Sequence, residues 1–488
     1  MNLRTSLLLP TALLALTACS QDTLPAPDST AVTAQGSTVA RAARVWLTTA
    51  DGRQKLAPQS SVLFKSGLSA AAGAVNVDPK TTYQSIKGFG AALTESSAYL
   101  IGQRLTSAQR DTLLGQLFDP ARGIGLSYLR VPLGASDFAQ SSYTYDDLPV
   151  GQTDAALSGF SLTREEQHVL PLARAIRQTS ADVRFMGTPW SAPAWMKDSG
   201  QLSGGRLKAE WQATYANYLV RTVQDYAQRG VPLDMLTLQN EPRHQTAGYP
   251  SMGMEPADAA TLARQLAPAL KTANLPTGLL GWDHNWDDTA YPMALLGDPE
   301  ARDALAGTAF HCYGGDVSAQ SAVHDAYPDK DIYFTECSGG GWATNWGANL
   351  GWNVQHLVIG ATRNWARTVL LWNLALDPQG GPTNGGCSNC RGVVTVDPAS
   401  GNVTLNEEYY ALGHVAKFVR PGAVRIASST YGAGNIQTVA FRNPDGSRAL
   451  VLLNGSSSGR KVQVLENGAG FTYTVPAGAV ATMTWPAS

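Results

Sequence analysis

The stretch RLKAEWQATYANYLVRTVQDYAQRGVPLDMLTLQNEP, residues 206–242, contains one full repeat of the architecture. Its first part, Arg206 to Arg229, has the spacing of an amphipathic helix. The apolar run Leu233 to Gln239 follows, closed by Asn240-Glu241-Pro242. A helix feeding a short apolar strand without strict alternation fits a parallel strand buried on both faces.

The same rhythm extends in both directions. Apolar runs occur at Tyr83 to Phe89, Leu126 to Leu133, Val183 to Trp190 and Leu233 to Gln239, then at Gly278 to Asp283, Thr308 to Tyr313, Asp331 to Glu336 and Thr368 to Leu376. Helical patterns such as Ala257 to Thr272 lie between most of them. Eight such repeats predict an α/β chain folded as a (β/α)8 TIM barrel over residues 80–420. An open doubly wound sheet is the alternative, but Gly88-Phe89-Gly90 lacks the later glycine and the acidic partner of a dinucleotide turn.

The flanks read differently. Arg44 to Lys55 suggests strands around an Asp51-Gly52 turn, and residues 44–79 are assigned to a side domain. From Pro421 onward short alternating strands are punctuated by Asn443-Pro444-Asp445-Gly446 and Asn454-Gly455. Residues 421–488 should therefore form a β-sandwich completed by the N-terminal strands.

Arg4 and the apolar run Leu7 to Leu16 read as the start of a signal peptide, and Leu16-Thr17-Ala18-Cys19 resembles a bacterial lipobox. Residues 1–19 are then a lipoprotein leader acylated at Cys19. An ordinary cleaved leader is the other reading, and both imply export. Residues 20–43, rich in Ser, Thr, Pro and Ala from Gln21 to Ala40, suit a flexible tether. Charged residues are 15% of the chain and net charge is −2, which leaves no basic field for a nucleic acid. Membrane association is expected only through Cys19. In an oxidising compartment Cys387 and Cys390 are expected to pair. A zinc site would need a second pair or nearby His residues, which the local sequence lacks. Cys312 and Cys337, flanked by apolar sequence, are expected to be buried free thiols.

In a barrel of this kind chemistry sits where the strands end. Those positions hold Glu95, Asp137, Trp190, Asn240, Glu241, His284, His311, Tyr313, Glu336, Trp372 and Asn373. Converging carboxylates cost stability through repulsion, so several at one mouth point to a function. Glu241 and Glu336 each terminate an apolar strand, on strands four and seven. A pair of this kind can flank a glycosidic bond, one carboxyl protonating the leaving oxygen and the other attacking or directing water. Asn240 could bond a sugar 2-hydroxyl, Trp190 and Trp372 could stack on sugar rings, and His311 and Tyr313 could set the protonation of the carboxylates. The acid requires its proton first, so Glu241 should titrate above Glu336.

These segments together resemble glycoside hydrolase family 30, which contains lysosomal glucosylceramidase. The resemblance is carried by Gly88-Phe89-Gly90-Ala91-Ala92-Leu93-Thr94-Glu95, by Thr188-Pro189-Trp190-Ser191-Ala192-Pro193-Ala194-Trp195-Met196-Lys197, and by Leu238-Gln239-Asn240-Glu241-Pro242. It continues through Phe334-Thr335-Glu336-Cys337, Trp372 to Pro382, and Leu412 to Phe418. It implies retaining hydrolysis of β-glucosides through a covalent glycosyl-enzyme, with no metal or organic cofactor. It also implies Glu241 as acid/base and Glu336 as nucleophile, Trp190, Asn240 and Trp372 around the glucose, and Glu95 on outer hydroxyls. The sequence departs from the lysosomal type at Glu95, an Asp there, and in the loop Thr383 to Cys390. Glucosylceramide, β-1,6-glucans and β-xylosides all remain candidate substrates, and a non-catalytic carbohydrate-binding lipoprotein is the rival of another class.

Overall fold

The computed structural model describes residues 41–431 and 436–487. Cys19, the leader and most of the tether lie outside them. Among the described residues, no helix is long and apolar enough to cross a membrane.

Eight parallel strands close into a barrel in chain order. They are β1 (Gly88–Ala92), β2 (Tyr128–Leu133), β3 (Arg184–Pro189), β4 (Leu233–Thr237), β5 (Gly278–Asn285), β6 (Gly307–His311), β7 (Asp331–Glu336) and β8 (Ala366–Asn373). Gly90 lets β1 approach β2, since a Cβ there would overlap the carbonyl oxygen of Tyr128. Helices cover the outside, and their ends follow local chemistry. Thr106 and Gln109 form a reciprocal capping box for Ser107–Phe118, and Glu255 and Asp258 do the same ahead of Pro256–Thr272. Asn353–Ala361 is wound as a π-helix directly after Trp346–Trp352.

The barrel floor is an apolar layer of Tyr128, Met186, Met235, Leu280, Ala309, Tyr333 and Leu370. Side chains alternate along a strand, so residues two further on point inward one layer higher. That rule raises Arg130, Thr188, Thr237, His311, Thr335 and Trp372 above the floor. The layer beneath the mouth is therefore polar.

The side domain is a β-sandwich built from both ends of the chain. Ala42–Thr48 lies between Ala57–Leu63 and Val480–Trp485, antiparallel to both. Val75–Ser85 bridges the two faces, antiparallel to Val424–Ser428 and parallel to Arg460–Glu466. Thus Tyr83 belongs to a sandwich strand, and the first barrel strand begins at Gly88 rather than Tyr83. Sandwich pairing runs through Ser85, past the expected boundary at 80. The N-terminal hairpin is also wider than expected, since its second strand begins at Ala57 and Asp51-Gly52 is only part of the connection. His414, fully buried in helix Glu407–Ala416, fastens the barrel to the sandwich through Thr48 (2.7 Å) and Thr482 (2.9 Å). Burial alone lowers its pKa to about 3, so the imidazole is neutral.

Cys312 and Cys337 are not free thiols. They form a disulfide, with Cα atoms 5.3 Å apart. The cause is register: His311 of β6 pairs with Glu336 of β7, so the next residue of each strand meets its counterpart. Cys387 and Cys390 also form a disulfide, Cα to Cα 5.7 Å.

Candidate active site

Arg130 is the centre of the polar layer and is wholly buried. Its guanidinium donates to Glu336 Oε2 (2.5 Å), Asn240 Oδ1 (2.7 Å), Asp283 Oδ2 (2.8 Å) and Thr188 Oγ1 (3.2 Å). Trp190 and Trp372 stack on each other at 5.3 Å between centroids, and Arg130 lies 4.9 Å from the centroid of Trp190. Both tryptophans are buried, only 2% and 3% exposed, and hold the arginine against their rings.

Asp283 reaches this layer through a bulge. Ala309 pairs with Trp282 and Phe310 with His284, which leaves Asp283 as the extra residue on β5. Trp282 and Asp283 both take the left-handed conformation, φ 67° and 58°. The buried Asp283 carboxylate accepts from Arg130, from Thr335 Oγ1 (2.7 Å) and from His311 Nε2 (3.0 Å). Burial opposes its ionisation, but Arg130 and His311 more than offset that and hold it far below the usual carboxylate range.

His311 also bonds Glu241 Oε1 through Nδ1 at 3.1 Å, and Tyr313 donates to Glu336 Oε1 at 2.9 Å. Burial alone would depress His311. Glu336, Asp283 and Glu241 around it lift it instead to about 9, so it is a cation at neutral pH. That cation reverses the expected order of titration. Burial raises the Glu241 carboxyl, yet the bond to His311 and its charge bring the net below normal. Glu336 moves up, because burial and the nearby Glu241 and Asp283 outweigh the pull of His311 and Arg130. In the resting site the proton of the Glu241–His311 pair sits on the imidazole.

One ligand atom each from Glu241, His311 and Glu336 lies within 4.8 Å of the others. This is a cluster a metal could use in principle. A protonated His311 and an Arg130 already bonded to Glu336 oppose a further cation. Glu241 sits in the left-handed region, φ 43°, at a cost of about 1–2 kcal/mol. Its amide donates to Asp283 O (3.0 Å), and that of Asn240 to Pro189 O (2.9 Å), which secures the turn. With the Asn240 oxygen bound to Arg130, the amide NH2 is left to donate.

Other residues named from sequence fare unevenly. Asp137 is half-buried near both carboxylates, and burial, Glu336 and Glu241 push it well above the normal range. Asn373 accepts from Thr94 (2.8 Å), while its buried amide nitrogen has no hydrogen-bond partner among the described residues. Glu95 is not drawn into the catalytic cluster. Its oxygens accept from Arg164 (3.0 Å) and the Gln140 amide (2.8 Å), so it braces the loop after β2. His284 stays 3.9 Å from Glu241, with burial lowering it to about 4. Lys197 donates to Ser191, Leu202 O and Ser251 O, tying the loop after β3 to that after β4. Sequence reasoning missed Arg130 and Asp283. The available signal was a charged residue within a strand otherwise buried on both faces.

Comparison with known proteins agrees with this geometry. The model for the glycosyl hydrolase family 30 TIM-barrel domain matches residues 86–419, and that for the family's β-sandwich domain matches residues 422–483. An endo-1,6-β-D-glucanase of Aspergillus fumigatus is 34% identical over 432 residues, 83% of this chain and 86% of that protein. The lysosomal acid glucosylceramidase of Mus musculus is 30% identical over 430 residues, 83% of this chain and 81% of that one. A solved endo-β1,6-glucanase superposes with a TM-score of 0.86 at 31% identity, covering 92% of this chain and 100% of its own. The chain belongs to glycosyl hydrolase family 30 and is a glycoside hydrolase with that family's TIM barrel and β-sandwich.

Proposed function

We propose that the protein is an exported, retaining endo-β-1,6-glucanase in which Glu336 is the nucleophile and Glu241 the acid/base. The chemistry rests on one observation: the nearest oxygens of Glu241 and Glu336 lie within 4.8 Å. Retaining pairs stand about 5–5.5 Å apart, whereas inverting pairs need roughly 6.5–9.5 Å to admit a water. The linkage rests on relatives: endo-1,6-β-glucanases of Aspergillus fumigatus, Trichoderma harzianum and Neurospora crassa are each 34% identical to this chain. The glucosylceramidases, whose type the sequence motifs first suggested, reach 27–31%.

In the first step a Glu336 oxygen attacks the anomeric carbon and the bond to the leaving oxygen breaks. His311 passes its proton to Glu241 along the 3.1 Å bond and Glu241 delivers it to that oxygen, which leaves Glu241 ionised and the imidazole neutral. Arg130 and Tyr313 hold Glu336 in line, and the Asn240 amide can donate to the sugar 2-hydroxyl. In the second step Glu241, ionised, takes a proton from water, whose oxygen bonds to the anomeric carbon as the bond to Glu336 breaks, and the proton returns to His311. The low resting titration of Glu241 suits this base role, and the cationic His311 supplies the acid role.

The test compares the wild type with Glu336→Gln and Glu241→Gln on linear β-1,6-glucan and on an aryl β-D-glucoside. Glu336→Gln should abolish turnover of both, and azide should rescue Glu241→Gln on the aryl substrate. The wild type should release a ladder of oligosaccharides. Release of glucose alone would sink the endo reading, and inertness toward β-1,6-glucan would sink the linkage. Anchoring through Cys19 is part of the same proposal: Cys19→Ser should abolish incorporation of labelled fatty acid.

A further inference from the structure

We infer that the hollow beyond Tyr313 is a second saccharide subsite, holding glucose units of the same β-1,6-glucan beyond the one between Glu241 and Glu336. The inference rests on the glucanase reading above.

The hollow is a cavity of about 570 Å³, floored by Cys312 and Cys337 and lined by Tyr313, Ser338, Trp342, Asn345 and Trp352 among others. Among the described residues five large apolar side chains stand exposed, and three of them meet here: Tyr313 (47%), Trp342 (58%) and Trp352 (40%). Single exposed apolar side chains are ordinary, but clustering beside a catalytic mouth is not. Tyr313 joins the two places, since its hydroxyl bonds Glu336 while its ring faces the hollow. Trp alongside Ser338, Thr344 and Asn345 suits a sugar, which has an apolar face and a hydroxylated edge, better than an acyl chain.

Trp342 is also held in place without being buried. Its loop starts at the Cys312–Cys337 disulfide. Gly339 and Gly340 pair antiparallel with Arg391 and Cys390, and the Gly341 amide donates to Asn389 O at 2.7 Å. That second segment is closed by the Cys387–Cys390 disulfide. The ring of Trp342 lies against Gly340, where any Cβ would collide with it. A backbone braced from both sides around an exposed ring is pre-organised, and pre-organisation lowers the cost of binding. A second hollow of about 670 Å³ shares Asn345, Ala348 and Trp352 and continues to Gly455 and Gly478 of the sandwich, so the path extends past one sugar unit.

Trp342→Ala and Trp352→Ala test this. The ratio of kcat/KM on linear β-1,6-glucan to that on an aryl β-glucoside should fall about tenfold in each, the size of loss typical when an exposed aromatic anchor is truncated. Trp342→Phe, which keeps a ring, should recover most of the ratio. In Glu336→Gln the affinity for β-1,6-gluco-oligosaccharides should rise with their length, and adding Trp342→Ala should flatten that rise. Melting temperatures verify folding. An unchanged ratio, or a length dependence that survives the loss of Trp342, overturns the subsite while leaving the glucanase reading intact. A wild type that turns over the aryl glucoside but not β-1,6-glucan overturns both.

Discussion

Replacing Asp283 by Asn should move the alkaline limb of activity and leave the fold in place. Asp283 is an acceptor for three donors, and its Oδ1 lies 3.0 Å from His311 Nε2. The substitution removes one charge at nearly constant shape. At an effective dielectric of about 20, a full charge at that distance is worth roughly 5–6 kcal/mol, an upper bound. The difference between a charged and a neutral hydrogen bond, about 1–2 kcal/mol, is a lower one. At about 1.4 kcal/mol per pH unit, His311 should fall from about 9 to between about 5 and 8. The proton that Glu241 needs resides on its pair with His311, so kcat/KM declines once that pair is empty. With an aryl β-glucoside assayed from pH 4 to 10, the wild-type alkaline limb should lie near 9 and that of Asp283→Asn well below it. Thr335→Val, which removes a bond to Asp283 but no charge, should leave the limb where it was. A uniform loss of rate at every pH, with the limb still near 9, would refute the reasoning.

Arg130→Met takes the guanidinium from the buried Asp283 and Glu336 carboxylates and leaves His311 as the cation beside them. It should cost about 3–5 kcal/mol in urea unfolding as well as abolishing turnover. Cys312→Ser with Cys337→Ser opens a cross-link spanning 25 residues and should cost roughly 3–4 kcal/mol, measured with the wild type under non-reducing conditions. His414 is buried neutral with a folded pKa of about 3 against an ordinary 6.5. Only the unfolded chain takes up its proton as pH falls below 6.5, so stability should drop by roughly 4–5 kcal/mol by pH 3, a loss that thermal melting of His414→Gln should blunt.

The eight-strand rhythm was legible because strands buried on both faces are simply apolar, and because each carries its polar terminus to the same rim. The strand after Val75 shows where local pattern stops. Tyr83, Ile86 and Phe89 look like one run, but pairing of Thr82 with Ile426 assigns the first part to another sheet. Such membership depends on a partner more than three hundred residues away. The disulfide between Cys312 and Cys337 was illegible for a similar reason, since it follows from the register of β6 on β7 and not from either flank. The ion pair of Glu95 with Arg164 was illegible because position at a strand end says nothing about an arginine arriving from another loop. The reversed order of Glu241 and Glu336 needed His311, whose charge depends on an Asp283 placed by a bulge that no spacing announces.

The pairing of Ala42–Thr48 with Val480–Trp485 constrains how the chain can mature. The earliest strand of the folded part has its neighbour more than four hundred residues later, so the sandwich cannot close until Val480–Trp485 has been synthesised. Residues 86–419 can assemble ahead of it because each of the first seven barrel strands pairs with the next one to emerge and the eighth closes on the first. The sandwich then forms around the finished barrel, and its first strand stays an open edge until that moment. Removing Val480–Trp485 would leave two edges unpaired, on Ala42–Thr48 and on Arg448–Asn454. Such a truncation should yield an aggregating chain, whatever the state of the catalytic barrel.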